Sequence, residues 1–335
     1  MATTPTARAH GPWVDLHAHP GRCFLAGLAA ADPLAAVLGP ERCAAAMAQA
    51  ARAGMAVVSF DTVADLRVLG IAEDGGLCVA RDFDEGEAGA DHERQLDGVC
   101  LFASSHAVPV VRIASDVVRA HEEGTCAVLL GCEGADFLED DLARLEDCHA
   151  AGVRTVTLVH YRPNDYGDTQ TESARAGLTP AGRELVGEMN RLGMVVDVAH
   201  ATFETTLGVL EASSDPVMLS HSHLAGEGRT HPRLLAVEHA RAVAAGGGLV
   251  GAWPSGVTSA TFGDFVDEVV RLIEAVGVDH VGIGTDMDAN FRPVLTDYAE
   301  FGLIGEHLSD RGFTPAEVDR VLGGNALDLL ATVCG

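Results

Sequence analysis

The 335-residue sequence contains no lysine: all 22 of its basic residues are arginine. This excludes a side-chain Schiff base to a carbonyl substrate or to pyridoxal phosphate. It also removes the phosphate-loop lysine and any carbamylated lysine bridging two metals. Positive charge is scarce, with 22 basic against 49 acidic residues and a formal charge of −27. Nucleic acid and anionic membrane surfaces reward basic patches, so neither is expected as a partner. No run approaches the roughly 20 apolar residues of a membrane span. The opening MATTPTARAH is polar and has no apolar signal core. The eight cysteines are scattered without a CxxC, which suits buried thiols in a reducing cytoplasm. A glycine-rich dinucleotide loop is missing too, because Gly246–Gly248 precedes a strand instead of following one.

The chain does have apolar material, 47% of its residues. It falls in short runs that alternate with longer amphipathic stretches. Strands are expected near 14–19, 56–61, 126–132, 153–159, 195–199, 216–220, 248–253 and 280–285. Helices are expected between them: from Phe137 to Ala151, where Leu138, Leu142 and Leu145 share a face, after Thr179–Pro180 up to Gly193, from Phe262 to Val276, and from Thr314 to Leu322. Eight strands interleaved with helices predict an α/β fold, a (β/α)8 TIM barrel with its active site at the C-terminal rim of the strands. The expected organisation is one domain over 1–335, with 1–11 as a flexible tail. Glu73–Asp91 reads as an excursion after the second strand, and Tyr161–Gly177 as a polar loop on the active-site face.

Six of these runs end on an imidazole or a carboxylate. WVDLHAH stops at His17 and His19, CAVLLGCE at Glu133, VRTVTLVH at His160, VVDVAH at His200, VMLSH at His221 and HVGIGTD at Asp286. Such groups at the ends of buried strands are costly for folding alone. A barrel gathers them on one rim, so the pattern points to a metal-dependent site. In HxH, residues i and i+2 of a strand face the same side, so both rings can reach one ion. Imidazole and carboxylate donors suit zinc and similar cations. Glu133 has two oxygens and can bridge two ions, with His200 and His221 completing the second; such ions, roughly 3.5–4 Å apart, can share a hydroxide. Of the fifteen histidines, His92, His106, His121, His149, His239 and His307 fall in helical stretches and read as solvent-facing or half-buried. His10 lies in the tail, and His280 opens its strand on the stability face.

The same residues carry a family resemblance. VDLHAH, GCEG around Glu133, GVRTVTLVH, Asn164, the continuous stretch Gly177–His200, DPVMLSHS, GIGTDMD and GGNALDLL together resemble the membrane (renal) dipeptidase family of binuclear zinc peptidases, peptidase family M19. The resemblance implies metal ligands at His17, His19, Glu133, His200 and His221, and a substrate-carbonyl contact at His160. It implies an acid/base role for Asp286. Arg233, in THPRL, resembles the arginine that receives the dipeptide's carboxylate, with Arg229 nearby as the competing choice. Two positions depart from the family pattern: His19 stands where the family has aspartate, and Leu234 follows Arg233 where the family has asparagine. The family's membrane anchor is not evident.

The expected activity is therefore zinc-dependent hydrolysis of small dipeptides through a hydroxide held by two divalent ions. An amidohydrolase acting on N-acyl amino acids or peptide conjugates is the alternative, and a non-catalytic metal-binding homologue the third reading. The expected partner is a small dipeptide or related amide, with no nucleic acid, no membrane and room for a homodimer; the expected location is cytoplasmic.

Overall fold

The computed structural model describes residues 10–29, 31–32, 41–72, 76–172, 176–226 and 228–335. Eight strands form the frame: β1 (Trp13–Asp15), β2 (Met55–Val63), β3 (Ala127–Glu133), β4 (Val153–Thr157), β5 (Val195–Asp197), β6 (Met218–Leu224), β7 (Leu249–Ala252) and β8 (Val281–Ile283). Each pairs in parallel with the next in chain order. The ring closes where Leu16 N donates to Ile283 O and His19 N to Met287 O, both at 2.9 Å. This is the (β/α)8 barrel expected from the sequence. Strands β2, β3 and β6 are buried along their whole length, as parallel strands covered on both faces must be.

Helices cover the outside, and their ends follow local chemistry. Pro180–Leu192 starts where Thr179 Oγ1 accepts from Gly182 N and stops at Gly193, whose φ is 71°. Phe262–Val276 opens with a reciprocal cap between Thr261 and Asp264. One expectation needs correction. The stretch Phe137–Ala151 is not one helix: a short 3-10 turn at Asp136–Leu138 is followed by Glu139 and Asp140 at positive φ, and the helix begins only at Ala143. Residues 73–75 of the excursion after β2 lie outside the described residues; around them, Leu69–Ile71 and Leu77–Val79 pair as an antiparallel hairpin, and a helix starts at Glu87. The structure of residues 1–9 of the expected tail is likewise outside them, while His10 stacks on Trp13 at 3.9 Å. Among the described residues, no helix is long and apolar enough to cross a membrane.

Carboxylates inside the barrel link neighbouring strands below the rim. Asp15 on β1 accepts from Thr285 N at 2.9 Å, Thr285 Oγ1 at 2.5 Å and Tyr298 Oη at 2.8 Å, which reinforces the closure to β8. Asp197 on β5 accepts from Thr157 Oγ1 on β4 at 2.8 Å and Ser220 Oγ on β6 at 2.7 Å. Asp61 on β2 accepts from Ser59 Oγ at 2.5 Å and from Ala18 N at 3.3 Å. Gly131 on β3 makes room for this layer, since a Cβ there would sit 1.9 Å from Asp61 Oδ1.

His92 and His239, expected at or near the surface, are instead buried at 3% exposure each. His92 stacks on Phe137 at 3.9 Å, and His239 Nε2 lies 2.8 Å from Thr206 Oγ1. Burial lowers both imidazoles to about 4. Each is neutral in the folded chain and takes up a proton on unfolding below its ordinary value, so each makes stability fall as pH drops from about 6.5 to about 4. We expect His239→Gln, which keeps a polar partner for Thr206, to flatten this fall by up to about 1.4 kcal/mol per pH unit. Thermal melts of the two proteins across that range check it; parallel curves would contradict the assignment.

Candidate metal centre

Five imidazoles surround one carboxylate at the rim. Glu133, at the end of β3, has His17 Nε2 3.3 Å, His200 Nε2 3.0 Å and His221 Nε2 3.8 Å from its Oε1. Its Oε2 has His19 Nε2 at 3.4 Å and His160 Nε2 at 3.3 Å. His200 and His221 approach each other at 3.2 Å through the same nitrogens. Asp286 Oδ1 lies 3.6 Å from His19 Nε2. All of these residues are buried. The strand-end residues read from the sequence thus converge on one place.

Four of the five rings are aimed from behind; His200 Nδ1 is buried with no hydrogen-bond partner among the described residues. His17 Nδ1 lies 3.4 Å from Asp61 Oδ2, and His19 Nδ1 lies 2.8 Å from Asp61 O. His160 Nδ1 is 2.6 Å from Asp65 Oδ1, and His221 Nδ1 is 3.0 Å from Ser220 Oγ, itself bound to Asp197. A ring anchored at Nδ1 presents Nε2 in a fixed direction, the usual outer support of a metal-binding histidine. His200 and Asp286 take positive φ, 65° and 52°. Such backbone is strained in residues other than glycine and is found where surrounding structure holds a side chain in place.

The donors fit a divalent cation. The Nε2 atoms of His17 and His19 are buried and make no hydrogen bond among the described residues. Donors about 2.0–2.1 Å from a tetrahedral zinc lie roughly 3.3–3.5 Å apart. The 3.3 and 3.4 Å contacts of Glu133 with His17 and His19, and the 3.0 and 3.2 Å contacts around His200, lie close to that spacing. Two donor groups share Glu133: one with His17 and His19, the other with His160 and His200. His160 is thus as near the carboxylate as the candidate ligands are, a placement not evident from the sequence.

Electrostatics follow the same geometry. Burial pushes the Glu133 carboxyl up, but His160, His17 and His19 outweigh it and hold it well below the usual range. Burial pushes His17 down, whereas Asp61 and Glu133 raise it to about 9. For His200 and His221, burial together with neighbouring cations keeps both rings neutral, the form with a lone pair to donate. Burial raises Asp286 to about 6 against the pull of His19 and His17. Trp253 Nε1 donates to its other oxygen, Oδ2, at 3.2 Å.

The two arginines separate cleanly. Arg229 Nη1 donates at 2.6 Å to Glu268, a fully buried carboxylate that Arg271 also meets at 2.6 Å. Arg233 is 3% exposed, lines the cavity of about 780 Å³ above Glu133, and its Nη1 has no partner among the described residues. Its guanidinium lies 5.4 Å from the Trp253 ring. Asp61, Asp65, Tyr161 and Trp253 also belong to this centre and were missed from the sequence. The strand-end signal extends to two of them, since Tyr161 follows His160 and Trp253 follows β7.

The chain matches the family model of membrane dipeptidase, peptidase family M19, over residues 80–334. It is 33% identical over 229 residues to the dipeptidase tcpJ of Claviceps purpurea, covering 66% of this chain and 54% of that protein. With the dipeptidase verJ of Clonostachys rogersoniana it shares 31% over 232 residues, 67% of this chain and 60% of the other. The chain thus spans a little over half the length of these curated relatives. In fold it is similar to a metallo peptidase from Rhodobacter sphaeroides liganded with a phosphinate mimic of the dipeptide L-Ala-D-Ala: TM-score 0.77, 20% identity, 97% of this chain and 99% of that one.

An arginine buried without an anionic partner weakens the fold, whereas one paired to a buried carboxylate supports it. We expect Arg233→Met to leave thermal stability unchanged or raised. Arg229→Met should cost about 1–3 kcal/mol, because Glu268 keeps only Arg271. Denaturant melts of both variants check this, and the reverse order would exchange the two roles.

Proposed function

Since the chain belongs to the membrane dipeptidase family, peptidase family M19, we propose that it is a metal-dependent dipeptidase cleaving the amide bond of small dipeptides. The observation that carries this reading is Glu133, buried among five inward-facing Nε2 atoms. His17, His19 and Glu133 would hold one divalent ion; Glu133, His200 and His221 would hold a second. Two zinc ions bound there would supply an activated water and polarise the scissile carbonyl.

The chain's own groups have distinct tasks. Asp65 and Glu133 raise His160 against its burial, favouring a ring that donates from Nε2 to the carbonyl oxygen as negative charge develops. Asp286, steadied by Trp253, carries the proton from the attacking water to the leaving amine. Arg233 receives the substrate's free carboxylate, and its unpartnered Nη1 supports that role. The dipeptide mimic held by the Rhodobacter sphaeroides relative supports a substrate of this size. Eight free thiols agree with a reducing, cytoplasmic location. An N-acyl amino acid offers the same amide and carboxylate, and the cavity of about 780 Å³ has room for it; this is the second reading. Parallel assays of dipeptides and N-acyl amino acids with zinc added separate the two.

We expect elemental analysis of zinc-saturated protein to return two ions per chain, and one tightly bound ion would overturn the binuclear reading. Glu133→Gln should lose metal and turnover together, whereas Asp286→Asn should keep the metal and lose turnover. Equal metal loss in both variants would make Asp286 a ligand.

Arg233→Met should weaken kcat/KM for free dipeptides, mainly through KM, by roughly 1.5–3 kcal/mol, the worth of one hydrogen bond to a charged group. Dipeptide amides, which lack that carboxylate, should hardly change. Steady-state kinetics on matched pairs measure the difference, and equal losses on both would remove the carboxylate role.

A further inference from the structure

We propose that the cavity wall across the ring from Arg233 is an apolar subsite for the side chain of the substrate's N-terminal residue. The chain then favours dipeptides headed by a large apolar amino acid. This inference rests on the dipeptidase reading and adds a substrate class to it.

The strand order sets the direction. In an eight-membered ring β2 lies opposite β6, and Arg233 follows β6. A dipeptide with its carboxylate at Arg233 and its amide over Glu133 therefore extends its N-terminal residue toward the loops after β1 and β2. That wall consists of Phe24, Leu25, Val63, Leu66, Ile71 and Leu77. It starts at the metal centre, where the Phe24 ring meets the His19 ring edge-on at 5.3 Å. It ends at the hairpin after β2, where Ile71 and Leu77 are directly paired across the two strands.

These last two residues lack a folding reason for their position. Ile71 is 73% exposed and Leu77 is 44% exposed, yet both line the active-site cavity. Apolar side chains grouped at the mouth of a cavity mark a surface that a ligand covers. Among the described residues the charges on this side have partners, Arg22 donating from Nε to the backbone O of Asp288 at 2.9 Å. Arg67 donates to Asp32 at 2.9 Å and to Asp91 at 2.7 Å, and Asp288 Oδ2 accepts from Gly21 N at 2.6 Å. A polar side chain entering here would lose water for little return, whereas an apolar one would bury its surface.

The test uses Gly-Ala, Glu-Ala, Leu-Ala and Phe-Ala. Turnover is measured on the zinc-loaded protein, and binding by calorimetry on Asp286→Asn, which does not consume the ligand. Leu-Ala and Phe-Ala should exceed Gly-Ala on the order of tenfold in kcat/KM and in affinity, with Glu-Ala weakest. The double variant Ile71→Ser/Leu77→Ser changes only surface side chains and should compress the Phe-Ala to Gly-Ala ratio to within about threefold. A ratio that survives the double substitution, or no preference among the four peptides, overturns the subsite. Absence of turnover on every dipeptide would instead overturn the peptidase reading, and the calorimetric ranking would then decide the subsite by itself.

Discussion

The centre is organised around the burial of one carboxylate. Glu133 stands at the end of a fully buried strand, and an ionised carboxylate there is tolerated only with positive or donor groups on every side. Five rings from four other strand ends surround it, and His160, His17 and His19 supply the positive character it needs. The rings, in turn, need fixed orientations, which Asp61, Asp65 and the Ser220–Asp197 pair provide. Asp61 fits only because β3 carries glycine at position 131. A chain of dependence thus runs from one glutamate to a glycine two residues earlier in its own strand. The cluster also explains why the barrel interior below the rim is polar: the carboxylates that orient the rings require hydroxyl and amide donors of their own.

Such a centre is a local weakness in the fold. His200 and Asp286 hold strained backbone, and Arg233 is buried with no ion pair among the described residues. Each works against folding by an amount on the order of 1 kcal/mol or more. Continuous apolar packing between sheet and helices offsets this, as does the Asp15–Thr285–Tyr298 bond set at the seam between β1 and β8. That seam lies directly beneath His17, whose N–H also meets Asp15 at 3.4 Å. Closing the ring and placing His17 are therefore one structural event.

Much of this was legible in the sequence because the relevant residues break a strong local pattern. A histidine or glutamate that ends a run of buried valine and leucine is conspicuous, and all six such runs meet at the rim. The supporting carboxylates were not legible in the same way. Asp61, at the end of the expected strand 56–61, and Asp65, between Ala64 and Leu66, were not singled out, and what marks them is a partner 42 to 95 positions away. The break at Glu139 and Asp140 was hidden because the leucine spacing continues through it, although the backbone turns left-handed. His92 and His239 were read as solvent-facing or half-buried because helical position alone does not reveal a face. A neutral imidazole with one partner is easily buried, so neither disturbs the apolar periodicity.

Charge on the whole molecule sharpens the role of Arg233. A protein of net charge −27 has no diffuse basic field to gather carboxylates, and a free dipeptide is a zwitterion with no net charge for such a field to act on. Recognition of such a substrate must therefore rest on a local, desolvated cation and not on a diffuse basic surface. Glu268 removes Arg229 and Arg271 from that task by holding both guanidinium groups. Arg233 keeps donor capacity because the side chain beside it is an aromatic ring instead of a carboxylate. The absence of lysine fits the same logic, because a planar guanidinium stays protonated where burial would strip an ammonium of its charge. On the opposite wall, among the described residues, Arg67 is held by Asp32 and Asp91, and Arg22 donates from Nε to Asp288 O. The cavity is therefore polar at one end and apolar at the other, with Glu133 between them.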